Sequence, residues 1–278
     1  MSCPAHLTLG LSPCPNDTYI FHALLHGLVS SPVPVHPHLA DVEELNGMAC
    51  RKALDVTKIS LGAVANFVED YALLSSGAAL GWGCGPLLVA RNPLPEAAWR
   101  TASVAIPGRM TTANLLLDVH GGFHGPREEM LFSDVMGAVA SGRTDMGLII
   151  HEGRFTYGAA GLVRLLDLGQ WWEGRFALPL PLGAIVARRD LPVGLARDVQ
   201  AAIAASLDHA RAHPHASADF IRQHAQELSA DVTRAHIETF VTDYSRDLGD
   251  AGRAAIRLLL EHAAALHGKS LPKELFVS

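Results

Sequence analysis

Between Leu7 and Arg188, short apolar runs alternate with stretches of helical spacing, and this alternation constrains the fold more than any other feature. Strand-like pieces fall at Leu7–Leu11, Val33–Leu39, Val56–Ile59, Gly85–Arg91, Ala102–Ile106, Met146–Ile150, Leu162–Leu166 and Gly183–Arg188. Helix-like pieces fall between them, at Thr18–Val29, Asp41–Ala53, Leu61–Tyr71, Thr111–His120 and Phe132–Ser141. Strands separated by helices are the pattern of an α/β chain with parallel sheets and helices on both faces. Prolines in Val33–Leu39 mark that strand as an edge. From Val193 the pattern changes to alanine-rich helices over Leu195–His213, Ala216–Leu228, Thr233–Leu248 and Ala251–His267.

The breaks near residues 91–101 and 180–190 read as two crossings between two lobes. One lobe is expected to comprise residues 1–92 with 186–278, the other residues 93–185, with a ligand cleft between them. A chain of 278 residues that is 49% hydrophobic has ample core for this arrangement. Its 22 basic and 28 acidic residues give a net charge of −6, which speaks against nucleic-acid binding or a basic membrane-surface face. No apolar run approaches a membrane span, and the first residues lack the pattern of a signal peptide, so a cytoplasmic protein is expected. Cys3, Cys14, Cys50 and Cys84 are scattered, as expected of reduced thiols rather than a disulfide framework or zinc site.

Open α/β sheets bind ligands beyond the carboxyl ends of their strands, and four such ends carry chemistry. Ser12–Thr18 is a Pro-stiffened turn in which Asn16 and Asp17 either cap the next helix or reach a polar substrate. Lys58, Ile59 and Ser60 end another strand; Lys58 pairs with a substrate carboxylate or lies on an exposed edge, and Ser60 suits a cap. Pro107–Ala113 opens a helix with Thr111 and Thr112, a combination of hydroxyls and free amides suited to an anion. At the fourth end His151 follows an apolar strand, where it serves as a general base or as a structural histidine, with Glu152 or Arg154 to orient it.

Other features point less clearly to chemistry. His22 and His26 share a helical face without an acidic ligand or an HExxH motif, so a packed or solvated face is expected rather than a metal site. Gly81–Gly85 lacks a nucleotide-binding fingerprint and suits a close approach of backbones. The Trp171–Trp172 pair suits packing at a lobe surface. An apolar face on the C-terminal helices would serve a homodimer or pack on the sheet; the pattern is the same for both.

SPCPNDTYIF (residues 12–21), TKIS (57–60), PGRMTTANLLL (107–117) and IIHEGRFTY (149–157), in this order, resemble the 1,4-dihydroxy-6-naphthoate synthase family of the futalosine route to menaquinone. The resemblance runs through most of the chain. It implies a two-lobed fold like the type II periplasmic binding proteins. It implies a carbon–carbon lyase that turns cyclic dehypoxanthinylfutalosine into 1,4-dihydroxy-6-naphthoate and dihydroxyacetone, with no redox cofactor and no metal. The family's proton acceptor falls on His151, its substrate-binding segments on Lys58–Ile59–Ser60 and Thr111–Thr112, and its cleft-facing opening motif on Asn16 and Asp17. Tyr157 is a further candidate contact. The alternatives are the sister chorismate dehydratase, whose opening motif differs, a solute receptor that leaves its ligand unchanged, and a sensing domain of a regulator.

Overall fold

A computed structural model describes residues 4–225 and 229–277. The chain first lays down β1 (Leu7–Leu11), β2 (Val35–Leu39), β3 (Val56–Ser60), β4 (Tyr71–Leu73) and β5 (Ala79–Gly81). It then crosses into a second sheet with β6 (Leu87–Ala90), β7 (Val104–Ile106), β8 (Arg127–Glu129), β9 (Met146–Ile149) and β10 (Val163–Asp167). It returns with the long β11 (Leu180–Arg188). The first sheet has the order β2-β1-β3-β11-β4, with β5 paired to β11; the second has the order β10-β6-β9-β7-β8.

Both sheets are mixed, not parallel as expected. β1, β2 and β3 pair in parallel, but β11 runs antiparallel to β3, β4 and β5. In the second sheet β6 runs antiparallel to β9 and β10. Each exception is a strand beside a crossing, so it enters its sheet from the other sheet rather than from a βαβ turn. The crossings also lie earlier than the expected boundaries. Leu87–Ala90, expected in the first lobe, is a central strand of the second sheet, and Leu180–Ile185, expected in the second, belongs to the first. β6 is apolar throughout and β11 is apolar up to its last residue, Arg188, so neither carries a mark of which sheet it joins.

The helices are α1 (Pro15–Leu25), α2 (Val42–Cys50), α3 (Glu96–Trp99), α4 (Thr112–His120), α5 (Val135–Ser141), α6 (Gly153–Thr156), α7 (Leu168–Phe176), α8 (Val193–Ala212), α9 (Ala218–His224), α10 (Ala230–Phe240), α11 (Asp243–Arg246) and α12 (Gly249–Leu266). Leu9, Ile20, Phe21 and Leu24 pack with Ile203 and Leu207 of α8 beneath the first sheet. Leu87, Val89 and Ile149 pack against Val135 and Val139 of α5 beneath the second. Ile256, Leu259 and Ala263 of α12 join a third cluster that includes Leu61, Leu73 and Leu116.

Three helix expectations change. Leu61–Tyr71 is a 3-10 turn, Leu61–Asn66, followed by strand β4. Its apolar residues are buried on every side, so their spacing carries no helical face. Thr233–Leu248 divides into α10 and α11 because Thr242 and Ser245 form a capping box that starts a new helix. Within Ala216–Leu228, α9 covers Ala218–His224, and residues 226–228 lie outside the described residues. Cys14, Cys50 and Cys84 are free thiols; Cys3 lies outside the described residues.

Candidate active site

The carboxyl ends of β1, β3, β7 and β9 meet at one cleft. Ser12, Asn16, Lys58, Ile59, Ser60, Thr111, Thr112, His151 and Arg154 all line it. Asp17 and Tyr157 do not. Asp17 is wholly buried behind the wall, and Tyr157 packs against the Leu87–Val89–Ile149 cluster under the second sheet.

Asp17 organises the first wall. Helix α1 begins at Pro15, so Asn16 and Asp17 lie inside its first turn instead of in the turn before it. The N-cap is Cys14, without a side-chain hydrogen bond, which corrects the expected Asn16 or Asp17 cap. Asp17 Oδ2 accepts from the Ser12 amide at 3.0 Å and the Ser12 hydroxyl at 2.7 Å. Asp17 Oδ1 accepts from Asn16 Nδ2 at 2.9 Å and Lys58 Nζ at 2.8 Å. Lys58 is therefore neither exposed nor a free cation; it stands at the cleft already neutralised, 5% exposed. Arg154 is likewise engaged, by Asp167 Oδ2 at 2.8 Å and the Gly85 carbonyl at 2.6 Å, so it does not orient His151 through a hydrogen bond.

With both cations paired, neutral donors remain for an anion. Thr111 N-caps α4, accepting from the Asn114 amide and donating to the Gly108 carbonyl. The Thr112 hydroxyl accepts from the Gly62 amide at 3.0 Å and donates to the Leu182 carbonyl. Both threonine hydroxyls are thus structural, and Thr112 ties the α4 end to the first sheet. The Thr112 and Ala113 amides, in the first turn of α4, have no intrahelical acceptor and lie at the cleft. Ser60 precedes the 3-10 turn without capping it through its side chain. Its amide donates to Asn46 Oδ1 at 2.8 Å, which fixes its backbone beside the cleft.

His151 follows β9 with φ +53°, a left-handed conformation that costs a non-glycine residue about 1–3 kcal/mol. Its Nε2 lies 3.9 Å from Cys14 Sγ, and Phe132 meets its ring edge-on at 4.9 Å. Burial lowers its basicity below the ordinary histidine value of 6.5; the Glu152 carboxylate works the other way. Burial raises the Cys14 thiol far above its ordinary range, so it stands protonated beside the imidazole. An uncharged imidazole in a cleft is the form that accepts a proton.

Sequence reading missed His236. This α10 residue is 1% exposed, stacks on His151 with ring centres 5.9 Å apart, and hydrogen-bonds Asn16. Its one sequence signal is the buried Phe240 four residues on, which puts both on the inner stripe of α10.

The remaining candidates lie elsewhere. His22 and His26 pack against each other, tilted, with ring centres 4.3 Å apart, and meet Phe220. Among the described residues no three His, Cys, Asp or Glu side chains are grouped to hold a metal. Trp172 is fully buried and donates to the Pro179 carbonyl, which places it in the core rather than at a lobe surface. Gly85 does permit a close approach: a Cβ there would stand 2.2 Å from the Gly169 amide nitrogen. Among the described residues no helix is long and apolar enough to cross a membrane.

A family model described as menaquinone biosynthesis matches residues 7–265. A Thermus thermophilus protein named 1,4-dihydroxy-6-naphtoate synthase is 50% identical over 98% of this chain and 99% of its own length. A Streptomyces coelicolor protein of the same name is 43% identical over 93% of each chain. Among solved structures, protein AF1704 of Archaeoglobus fulgidus superposes with a TM-score of 0.89 at 33% identity, covering 95% of this chain and 98% of its own. The alkanesulfonate-binding protein SsuA of Xanthomonas axonopodis superposes with a TM-score of 0.67 at 15% identity, covering 100% and 98%. That likeness extends the two-lobed periplasmic-binding-protein fold to this chain.

Proposed function

Because the chain belongs to the menaquinone biosynthesis family, we propose that it is the lyase that converts cyclic dehypoxanthinylfutalosine to 1,4-dihydroxy-6-naphthoate and dihydroxyacetone. The observation that carries this reading is the pairing, in one cleft, of an uncharged His151 with the open amide end of α4. The substrate's aryl carboxylate sits at the Thr112 and Ala113 amides and the Ser60 hydroxyl, where the helix dipole favours an anion. Ser12, Asn16, Ile59 and Lys58 form the wall around the sugar-derived portion, with Asp17 holding Ser12 and Lys58 from behind.

His151 takes a proton from the sugar-derived portion. Ring opening follows, and a retro-aldol-type cleavage of a carbon–carbon bond releases the three-carbon fragment. Aromatisation of the remaining ring drives the sequence forward. Closure of the two lobes keeps water from the enolate-like intermediate. The reaction consumes no redox cofactor and no metal, and a cytoplasmic location fits it. Tyr157, packed away from the cleft, has no part in it.

The test is turnover of cyclic dehypoxanthinylfutalosine by the purified chain, followed by absorbance and mass, with His151→Ala beside it. Loss of roughly 10²–10⁴-fold in rate, in a variant that still folds, supports the assignment. Full turnover by His151→Ala removes the base from the scheme. Binding of the compound without product would make the chain a receptor, and consumption of chorismate in its place would make it the dehydratase.

A further inference from the structure

Asn16 and His236 are 220 positions apart in sequence, yet His236 Nε2 lies 3.0 Å from Asn16 Oδ1. A neighbouring bond fixes the direction of this one. Asn16 Nδ2 donates to Asp17 Oδ1, the same oxygen that takes Lys58 Nζ. The amide therefore turns its oxygen toward the histidine, and an amide oxygen only accepts. His236 Nε2 must carry the proton, which leaves Nδ1 of the neutral ring with a bare lone pair. That Nδ1 is buried without a hydrogen-bond partner, and Glu152 Oε2 stands 3.9 Å away. The ring plane lies within 10° of the His151 plane, and Phe240 packs against it at 4.6 Å.

We propose that His236 is a positioning residue for His151, locked as its Nε2–H tautomer by the Lys58–Asp17–Asn16 chain and offering the base an uncharged face. The proposal rests on the functional reading above, in which His151 gains a proton. A protonated His236 would repel the His151 imidazolium and draw the Glu152 carboxylate onto its own Nδ1. A neutral His236 leaves Glu152 to balance the charge on His151. The charged groups around His236 are Lys58 from β3, Glu152 and His151 from the turn after β9, and Asp17 behind Asn16 on α1. Burial first, then His151 and Lys58, push His236 well below the ordinary histidine range, in agreement with a neutral ring.

Two measurements test this. Histidine ¹⁵N spectra of the full chain at neutral pH should show His236 protonated at Nε2 and bare at Nδ1; an Nδ1-protonated ring overturns the proposal. His236→Phe keeps a flat ring but loses the bond to Asn16. It should lower kcat roughly 10- to 100-fold and leave KM within about twofold, because the base is misplaced while Asn16 is still held in the wall by its bond to Asp17. It should also shift the acid limb of the pH profile. His236→Gln, whose amide can again donate to Asn16, should recover part of the loss. Unchanged kcat and acid limb in a folded His236→Phe overturn the proposal; if that variant fails to fold, His236→Gln against wild type decides on the same two readouts. If the wild-type chain turns over no cyclic dehypoxanthinylfutalosine, the functional reading fails separately. The NMR titration of His151 in wild type and His236→Gln then decides: a shifted midpoint supports positioning, and an identical one overturns it.

Discussion

Asp17 contributes most to the geometry of the site while touching none of the cleft. Four donors converge on its two oxygens, and one of them is the Lys58 ammonium. Burying a carboxylate and an ammonium is costly, and the pair is tolerable only because the remaining lone pairs are satisfied. Removal of one partner leaves the other as an uncompensated buried charge. Lys58→Met is therefore expected to lower stability by about 3–5 kcal/mol, measured by denaturant unfolding. A loss below about 1 kcal/mol would mean that water reaches the pair. From sequence, Asp17 and Lys58 both read as residues facing a ligand. The structure brings the two side chains together, but which of them faces the cleft depends on a pairing across 41 positions.

At the scale of elements, the α4 end joins the two sheets. The Gly62 amide donates to Thr112 Oγ1, the Met110 amide donates to Glu43 Oε1 on α2, and Thr112 reaches Leu182 on β11. Gly62 is required by space: a Cβ there would lie 2.7 Å from the Thr111 carbonyl oxygen, a backbone atom that cannot turn aside. Gly62→Ala is expected to cost about 1–3 kcal/mol, by overpacking, and to move the α4 amides away from the cleft. A lower unfolding midpoint together with a raised KM is the signature; a change in neither would show that the two sheets part without cost. On the opposite side, the Ser206 hydroxyl of α8 accepts from the Leu24 amide and donates to the Ile20 carbonyl. These are two groups an α-helix would pair with each other, so α8 is stitched into the ladder of α1 near its C-terminal end. Most helices and strands were legible within a few residues because each has its own apolar period or cap. β4, β5 and β8 were not: three residues carry no period, whereas β7, equally short, was marked by the Pro107–Ala113 turn after it.

The molecule as a whole holds several imidazoles away from water. Burial lowers the basicity of His22, His120, His151 and His236 below the ordinary 6.5. The folded state thus prefers these rings neutral, while in the unfolded chain they take up protons near the ordinary value. The unfolded state binds more protons below that value, so stability falls as the pH falls through it. Thermal unfolding midpoints should be flat above about pH 7 and decline below about pH 6.5, each such histidine adding up to about 1.4 kcal/mol per pH unit. His236→Gln should flatten the decline. A midpoint that rises on acidification would show that the rings gain charged partners on folding.

The sequence by itself determined the α/β class, the two-lobed plan and the four strand ends where polar residues gather. These follow from local periodicity, from capping residues and from motifs a few residues long. Only the tertiary structure decided which sheet β6 and β11 join, because a strand that is apolar along nearly all its length fits either. Only it set Asp17 behind the wall, packed Tyr157 beneath the second sheet and brought His236 from α10 to face Asn16 and His151. Those placements depend on contacts between segments up to 220 residues apart, and such contacts leave no periodic trace in the chain.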